Sequence, residues 1–146
     1  IICNGRDPRP LTAIEAGGRN TIFTAEASPP TARKKWIAGA LSPKGKLVVD
    51  DGAVKALRKG RSLLPAGVTT IGGKFERGDL IAVESHDGVV IGHGLSAYSA
   101  KDAARIKGHK SSEIEALLGY RGRDELIHAD NIVMNDNGVV SDEEMQ

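Results

Sequence analysis

Turn signals recur so closely along residues 45–134 that no helix long enough to cross between two parallel strands fits between them. Asp51-Gly52, Pro65-Ala66-Gly67, Gly72-Gly73, Gly78-Asp79 and Asp87-Gly88 punctuate short apolar runs, and such runs bounded by Gly, Pro and Asp read as strands and hairpins. Strands are expected at Lys46–Asp50, Thr69–Ile71, Leu80–Val83 and Val89–Leu95, the last two joined by the Asp87-Gly88 turn. A last pair is expected from Leu126-Ile127 and Ile132-Val133. Short helices are expected at Ala53–Lys59, stopped by Gly60, and from Ser99 through Ile106, where Ser99 and Asp102 have capping-box spacing. Ser112-Glu113-Ile114-Glu115 repeats that device before Ala116–Gly119. Many short strands with peripheral helices predict a mainly β, α+β fold: a small pseudo-barrel of mixed strands and not a doubly wound α/β sheet.

The first 30 residues have another texture. Leu11–Ala16 reads as a helix ended by Gly17-Gly18, Asn20–Ala25 as extended, and Ser28-Pro29-Pro30 as an extended linker. The expected organisation is residues 1–30 as the end of one unit with its linker, 31–134 as a second domain, and 135–146 as a flexible acidic tail. At 146 residues, with 40% apolar and 27% charged side chains, the chain holds one full domain and hardly two. The start at Ile1, with no initiator Met, suggests an excised or processed piece. Its one cysteine, Cys3, suits a reducing cytosol, and no apolar run approaches the roughly 20 residues of a membrane helix. A cytoplasmic location without membrane association is expected.

Motifs that would carry chemistry fail on inspection. Gly92-His93-Gly94-Leu95-Ser96-Ala97 matches a dinucleotide fingerprint, but the acidic residue expected about 20 positions on is missing. Barrel glycines that permit strand curvature explain the pattern more simply. Gly67–Lys74 lacks phosphate-loop spacing, and Phe75 stands where a magnesium-holding hydroxyl belongs. Tyr98 replaces the second glycine of a nucleophile elbow. His86, His93, His109 and His128 are scattered without cysteine partners, so no metal set is read. The sequence thus offers no catalytic, cofactor-binding or metal-ligating residues.

Charge is the one functional cue. Residues 31–77 hold 11 Lys/Arg against 3 Asp/Glu, whereas residues 78–146 hold 6 against 13. The simpler reading is that the two segments neutralise each other, with Trp36 in the core and the cations solvated. The sharper reading is a polyanion surface in which Lys55, Arg58, Lys59 and Arg61 flank the loop Leu64, Pro65, Ala66, Gly67 and Val68, so that structured RNA would be followed by its phosphates. An aromatic content of only 3% is thin for base stacking.

The ordered blocks Arg33-Lys34-Lys35-Trp36-Ile37-Ala38-Gly39, Ser62-Leu63-Leu64-Pro65-Ala66-Gly67-Val68, Phe75-Glu76-Arg77-Gly78, Lys110-Ser111-Ser112-Glu113-Ile114 through Leu118-Gly119-Tyr120, and His128-Ala129-Asp130-Asn131 resemble the C-terminal part of the glutamate 5-kinase family. The stretch from about Lys34 to Val133 is similar to the PUA domain, a small β-barrel-like fold named for pseudouridine synthases and archaeosine transglycosylases and often used to hold RNA. Residues 1–30 resemble the tail of the amino-acid-kinase domain, with Cys3–Arg6 as a late strand and turn and Thr21-Ile22-Phe23 as the final strand. The resemblance implies a parent enzyme that phosphorylates glutamate with ATP and magnesium, opening proline biosynthesis. It also implies that the glutamate- and nucleotide-binding residues precede this stretch. The chain itself would then be an inactive, monomeric appendage of the kinase domain in a homo-oligomeric parent, affecting assembly or proline feedback, or alternatively an RNA-binding module.

Overall fold

The computed structural model describes residues 1–25, 28–39 and 42–135. The expected acidic tail after Asn135 lies outside them. The N-terminal piece is slight: β1 (Ile2–Cys3) pairs antiparallel with β2 (Asn20–Thr21) around helix α1 (Pro10–Glu15). Helix α1 buries no residue. Two two-residue strands and a six-residue helix are far below what holds together unaided in water.

Ser28-Pro29-Pro30 is not an extended linker. It opens α2 (Pro29–Gly39), because the first helical positions have no intrahelical N–H partner to lose and proline already holds a helical φ there. The Ser28 carbonyl accepts from the Ala32 amide at 3.0 Å, and the Ser28 and Thr31 hydroxyls meet at 2.9 Å. Helix α2 turns Ile37 inward, 1% exposed. Adjacent helical residues point about 100° apart, so Trp36 faces outward at 62% exposure. The expectation of a core tryptophan is wrong for that reason.

The main body is an open five-stranded sheet in the order β4-β3-β5-β6-β7, built from β3 (Gly45–Val49), β4 (Val68–Gly73), β5 (Leu80–Ser85), β6 (Val90–Leu95) and β7 (Ile132–Met134). Strands β3 and β5 run parallel, and the other neighbours are antiparallel. Among the described residues no ladder joins β4 to β7, so the α+β fold stops short of a closed barrel. Helix α3 (Asp51–Arg58) follows β3, while α4 (Ala100–Ile106) and α5 (Ile114–Leu118) follow β6.

Period-two burial seats β3, whose Leu47 and Val49 are fully buried, whereas β5, central in the sheet, is buried continuously from Leu80 through Val83. Leu47, Val49, Ile81 and Val83 pack with Leu57, Phe75, Ala103, Ile106, Ile114, Leu126 and Ile127 in one core, each large side chain contributing on the order of 1.5–3 kcal/mol. The β5–β6 turn is the one expected. Gly88, at φ +82°, takes the left-handed conformation the turn demands, and its amide donates to the Ser85 carbonyl at 2.9 Å.

Two local expectations need correction. Leu126-Ile127 does not pair with Ile132-Val133. A 3-10 turn at Ala129–Asn131 separates them, Ile127 bridges Leu63, and β7 pairs with β6 instead. The cap before α5 is also displaced: the Glu113 carboxylate accepts from the Lys110 amide at 2.8 Å, so a 3-10 turn at Ser111–Glu113 precedes the helix and Ser112 does not cap it.

Candidate nucleic-acid and ligand surfaces

Helix α3 fixes the position of the basic residues singled out in the sequence. Asp50 caps it, Oδ1 accepting from the Ala53 amide at 2.7 Å, and Gly60 ends it. Lys55 and Arg58 fall in the last turn, where the helix dipole favours cations whether or not a ligand is present. With Lys59 at the C-cap they share one exposed face. Beside that face lies a cleft of about 390 Å³ between α3 and the following loop, lined by Gly52, Ala53, Ala56, Arg61, Leu64, Ala66 and Gly67 among others. The loop approaches the helix so closely that a Cβ on Gly67 would stand 2.6 Å from the Ala53 Cβ.

Arg61, Leu64, Ala66 and Gly67 thus come together in one cleft, with Lys55, Arg58 and Lys59 on the neighbouring helix face. Pro65 and Val68 do not offer their side chains. Both are buried, and the Pro65 carbonyl accepts from the Gly108 amide at 2.8 Å. From that loop only Leu64, Ala66 and the backbone around Gly67 reach the surface.

The glycine fingerprint resolves as packing. A Cβ on Gly92 would lie 2.5 Å from the Val133 carbonyl oxygen, and one on Gly94 would lie 2.8 Å from Ile127 Cγ2. The backbone there is covered by β7 and Ile127, which leaves no room for a pyrophosphate. The histidines stay dispersed: His86 at the hairpin turn lies 3.2 Å from Asp51 and 3.0 Å from Asp87, and His93 is half-buried in β6. Among the described residues no three His, Cys, Asp or Glu side chains gather as a metal would require, and no described helix is long and apolar enough to cross a membrane.

A second cleft, of about 340 Å³, was missed in the sequence because its residues are scattered along the chain. It lies between α2 and the end of the sheet. Arg33 and Trp36 come from α2, Arg77 and Gly78 from the turn before β5, Leu95–Ala97 from the end of β6, and Arg123, His128 and Asn131 from the segment leading into β7. Arg33 Nη1 donates to Asn131 Oδ1 at 3.0 Å, tying α2 to the sheet. Ser96, 2% exposed, is satisfied within its own loop: its hydroxyl donates to the Tyr98 carbonyl at 2.6 Å and accepts from the Tyr98 amide at 3.2 Å. Tyr98 is 3% exposed, and burial, with Asp124 and Glu125 nearby, raises its phenol above the ordinary value.

Comparison with known proteins places this architecture. Over 133 residues, 91% of this chain, it is 56% identical to a protein named Glutamate 5-kinase from Paramagnetospirillum magneticum, of which it covers 36%. Over 135 residues, 92% of the chain, it is 53% identical to Glutamate 5-kinase of Rhizobium etli, of which it covers 35%. The chain spans little more than a third of the length of these curated relatives. Among solved structures, a PUA domain from Aeropyrum pernix K1, crystallised as a tartrate complex, is 29% identical over 58% of this chain and 41% of that one, with a TM-score of 0.42. The family model described as the PUA domain matches residues 45–118, half of the chain, covering β3 to the end of α5. The chain belongs to the PUA domain family.

Proposed function

We propose that this chain is the non-catalytic PUA portion of a glutamate 5-kinase, with a regulatory or assembly role in an enzyme that phosphorylates L-glutamate with ATP and magnesium at the start of proline biosynthesis. The observation that carries the reading is the 56% identity over 91% of the chain with a relative of that name. The build of the molecule supports it. Residues 42–135 contain a core of their own, whereas residues 1–25 leave Ile1, Ile2, Leu11, Ile22 and Phe23 at 60–75% exposure. A piece with so much apolar surface and no interior requires a larger body to pack against, as the rest of a kinase domain would provide.

Helix α2 follows that piece in the chain and is seated on the sheet by Ile37 and the Arg33–Asn131 hydrogen bond. It would pass a change in the PUA body back toward the kinase domain. Phosphoryl transfer needs a phosphate-cradling loop, a lysine and metal-holding oxygens in one place, and we assign none of those roles to residues of this chain. The test uses the full-length enzyme with and without the stretch equivalent to residues 34–146. Glutamyl phosphate formation, its inhibition by proline and the particle mass are measured. At least one is expected to change, and three unchanged values overturn the proposal, as does glutamyl phosphate formation by this chain alone.

A second reading, an RNA-binding module, is favoured by the cations of α3 beside the cleft of about 390 Å³. Structured RNA at low salt would then shift the NMR signals of Lys55, Arg58, Lys59, Arg61 and residues 64–68. Silence across that patch overturns it.

A further inference from the structure

The cleft between α2 and the sheet has a composition that the first does not. Three guanidinium groups, Arg33, Arg77 and Arg123, line it together with His128, and no Asp or Glu is among its lining residues. Their own partners are weak or neutral. Arg33 is bonded to an asparagine, and Arg77 enters no ion pair among the described residues. Arg123 stands 3.6 Å from Glu125, and His128 Nδ1 stands 3.6 Å from Asp130, both longer than a hydrogen bond. The nearby Asp79 is already engaged, with Lys44 Nζ at 3.1 Å and the Glu76 amide at 2.8 Å. Three arginines bordering one space that no carboxylate residue lines match a phosphate group, which accepts two parallel N–H bonds from an arginine fork. Arg77 and Arg123 also border an adjoining cleft that holds Glu76 and Asp102.

The second observation is the indole. The chain has a single tryptophan, and it is left 62% exposed on the wall of this cleft. An exposed aromatic face beside cations is the usual platform for a nucleobase, the ring stacking on the indole while the cations take the phosphate. A volume of about 340 Å³ is within the range of small-ligand sites, about 300–1,000 Å³. We infer that this cleft binds a nucleoside monophosphate, its phosphate held by Arg33, Arg77 and Arg123 and its base laid against Trp36.

Because Trp36 is the sole tryptophan, indole emission excited beyond the absorption of Tyr98 and Tyr120 reports on this cleft alone. The chain is titrated at low salt with adenosine monophosphate, with adenosine and with inorganic phosphate. Adenosine monophosphate is expected to change the emission saturably, and the other two to bind at least about tenfold more weakly, since each lacks one half of the recognition. Arg77→Ala and Arg123→Ala should each weaken binding by about tenfold, the loss expected for a charge-assisted hydrogen bond, with an unchanged melting temperature. Trp36→Phe, followed by calorimetry, should also weaken it while retaining the fold. No saturable response to adenosine monophosphate overturns the inference. So does equal affinity for inorganic phosphate, or a response confined to a single-stranded oligoribonucleotide. None of these results bears on whether the chain belongs to a kinase.

Discussion

Gly94→Ala separates the packing account of the glycine pair from any account in which those glycines merely relax the strand. Gly94 lies within β6, opposite Ile81 on one side and Ile132 on the other. A methyl group there would stand 2.8 Å from Ile127 Cγ2, 3.0 Å from Ile127 Cδ1 and 3.0 Å from the Asn131 carbonyl oxygen. Ile127 is fully buried, so it has no solvent-side rotamer into which to retreat. Forcing a methyl into a packed core costs about 1–3 kcal/mol, while replacing glycine returns about 0.4–1 kcal/mol by restricting the unfolded chain. The net loss is about 1–2 kcal/mol, or a fall in Tm of roughly 5–15 °C for a cooperative body of this size. Urea and thermal unfolding measure it. Gly39→Ala is the control, since a Cβ there meets nothing within 4 Å, and it should be neutral or slightly stabilising. Ile127→Ala alone should cost about 2–5 kcal/mol. Combined with Gly94→Ala it should cost less than the sum, because the new methyl enters the void the isoleucine leaves. A Gly94→Ala protein as stable as the Gly39→Ala control, or strict additivity of the pair, refutes the reasoning.

Further outcomes follow from the caps and charges. Asp50→Ala removes the acceptor of the Ala53 amide and should lower stability by about 1 kcal/mol, with Asp50→Ser restoring most of it; the urea midpoint reads both, and an unmoved midpoint for Asp50→Ala counts against the cap. Asp79 is held below the usual carboxylate range first by the Glu76 amide and then by Lys44. Lys44→Met should therefore raise its titration midpoint, followed by carboxyl NMR, yet leave it below the ordinary value of about 3.9. A depressed folded-state value means that the stabilisation is present above the unfolded value and fades as pH falls through the folded one. An unshifted midpoint in Lys44→Met would discard the Lys44 contribution.

What the sequence revealed and what it hid divide along physical lines. The Asp87-Gly88 hairpin and the Ser99 cap of α4 rest on local chemistry, and each is found where its residues place it: the Asp102 amide donates to Ser99 Oγ at 3.2 Å. Helix α3 is also present, but Asp51-Gly52 is its first turn and not a separate turn before Ala53, because the Asp50 side chain caps it. Helix α2 was hidden because proline both starts and stops helices, and only the chain after Pro30 decides which. The inward turn of Ile37 and the outward turn of Trp36 depend on where the sheet lies, which composition does not state. The partners of Leu126-Ile127 were likewise a tertiary matter, since the distant Leu63 takes their backbone groups while β7 pairs with β6. The cationic patch of α3 was legible because Lys55, Arg58 and Lys59 are neighbours in sequence. The tri-arginine cleft was not, since Arg33, Arg77 and Arg123 meet only after the sheet has formed.

Native-state amide hydrogen exchange across the whole chain tests the central claim most directly: a self-sufficient PUA body carries an N-terminal piece that has no interior of its own. The amides of β3, β5 and β6 should open only with global unfolding, while those of β1, α1 and β2 should exchange with little protection. Comparable protection in residues 1–25 and in the sheet would contradict it, and with it the view that this piece waits for a larger domain.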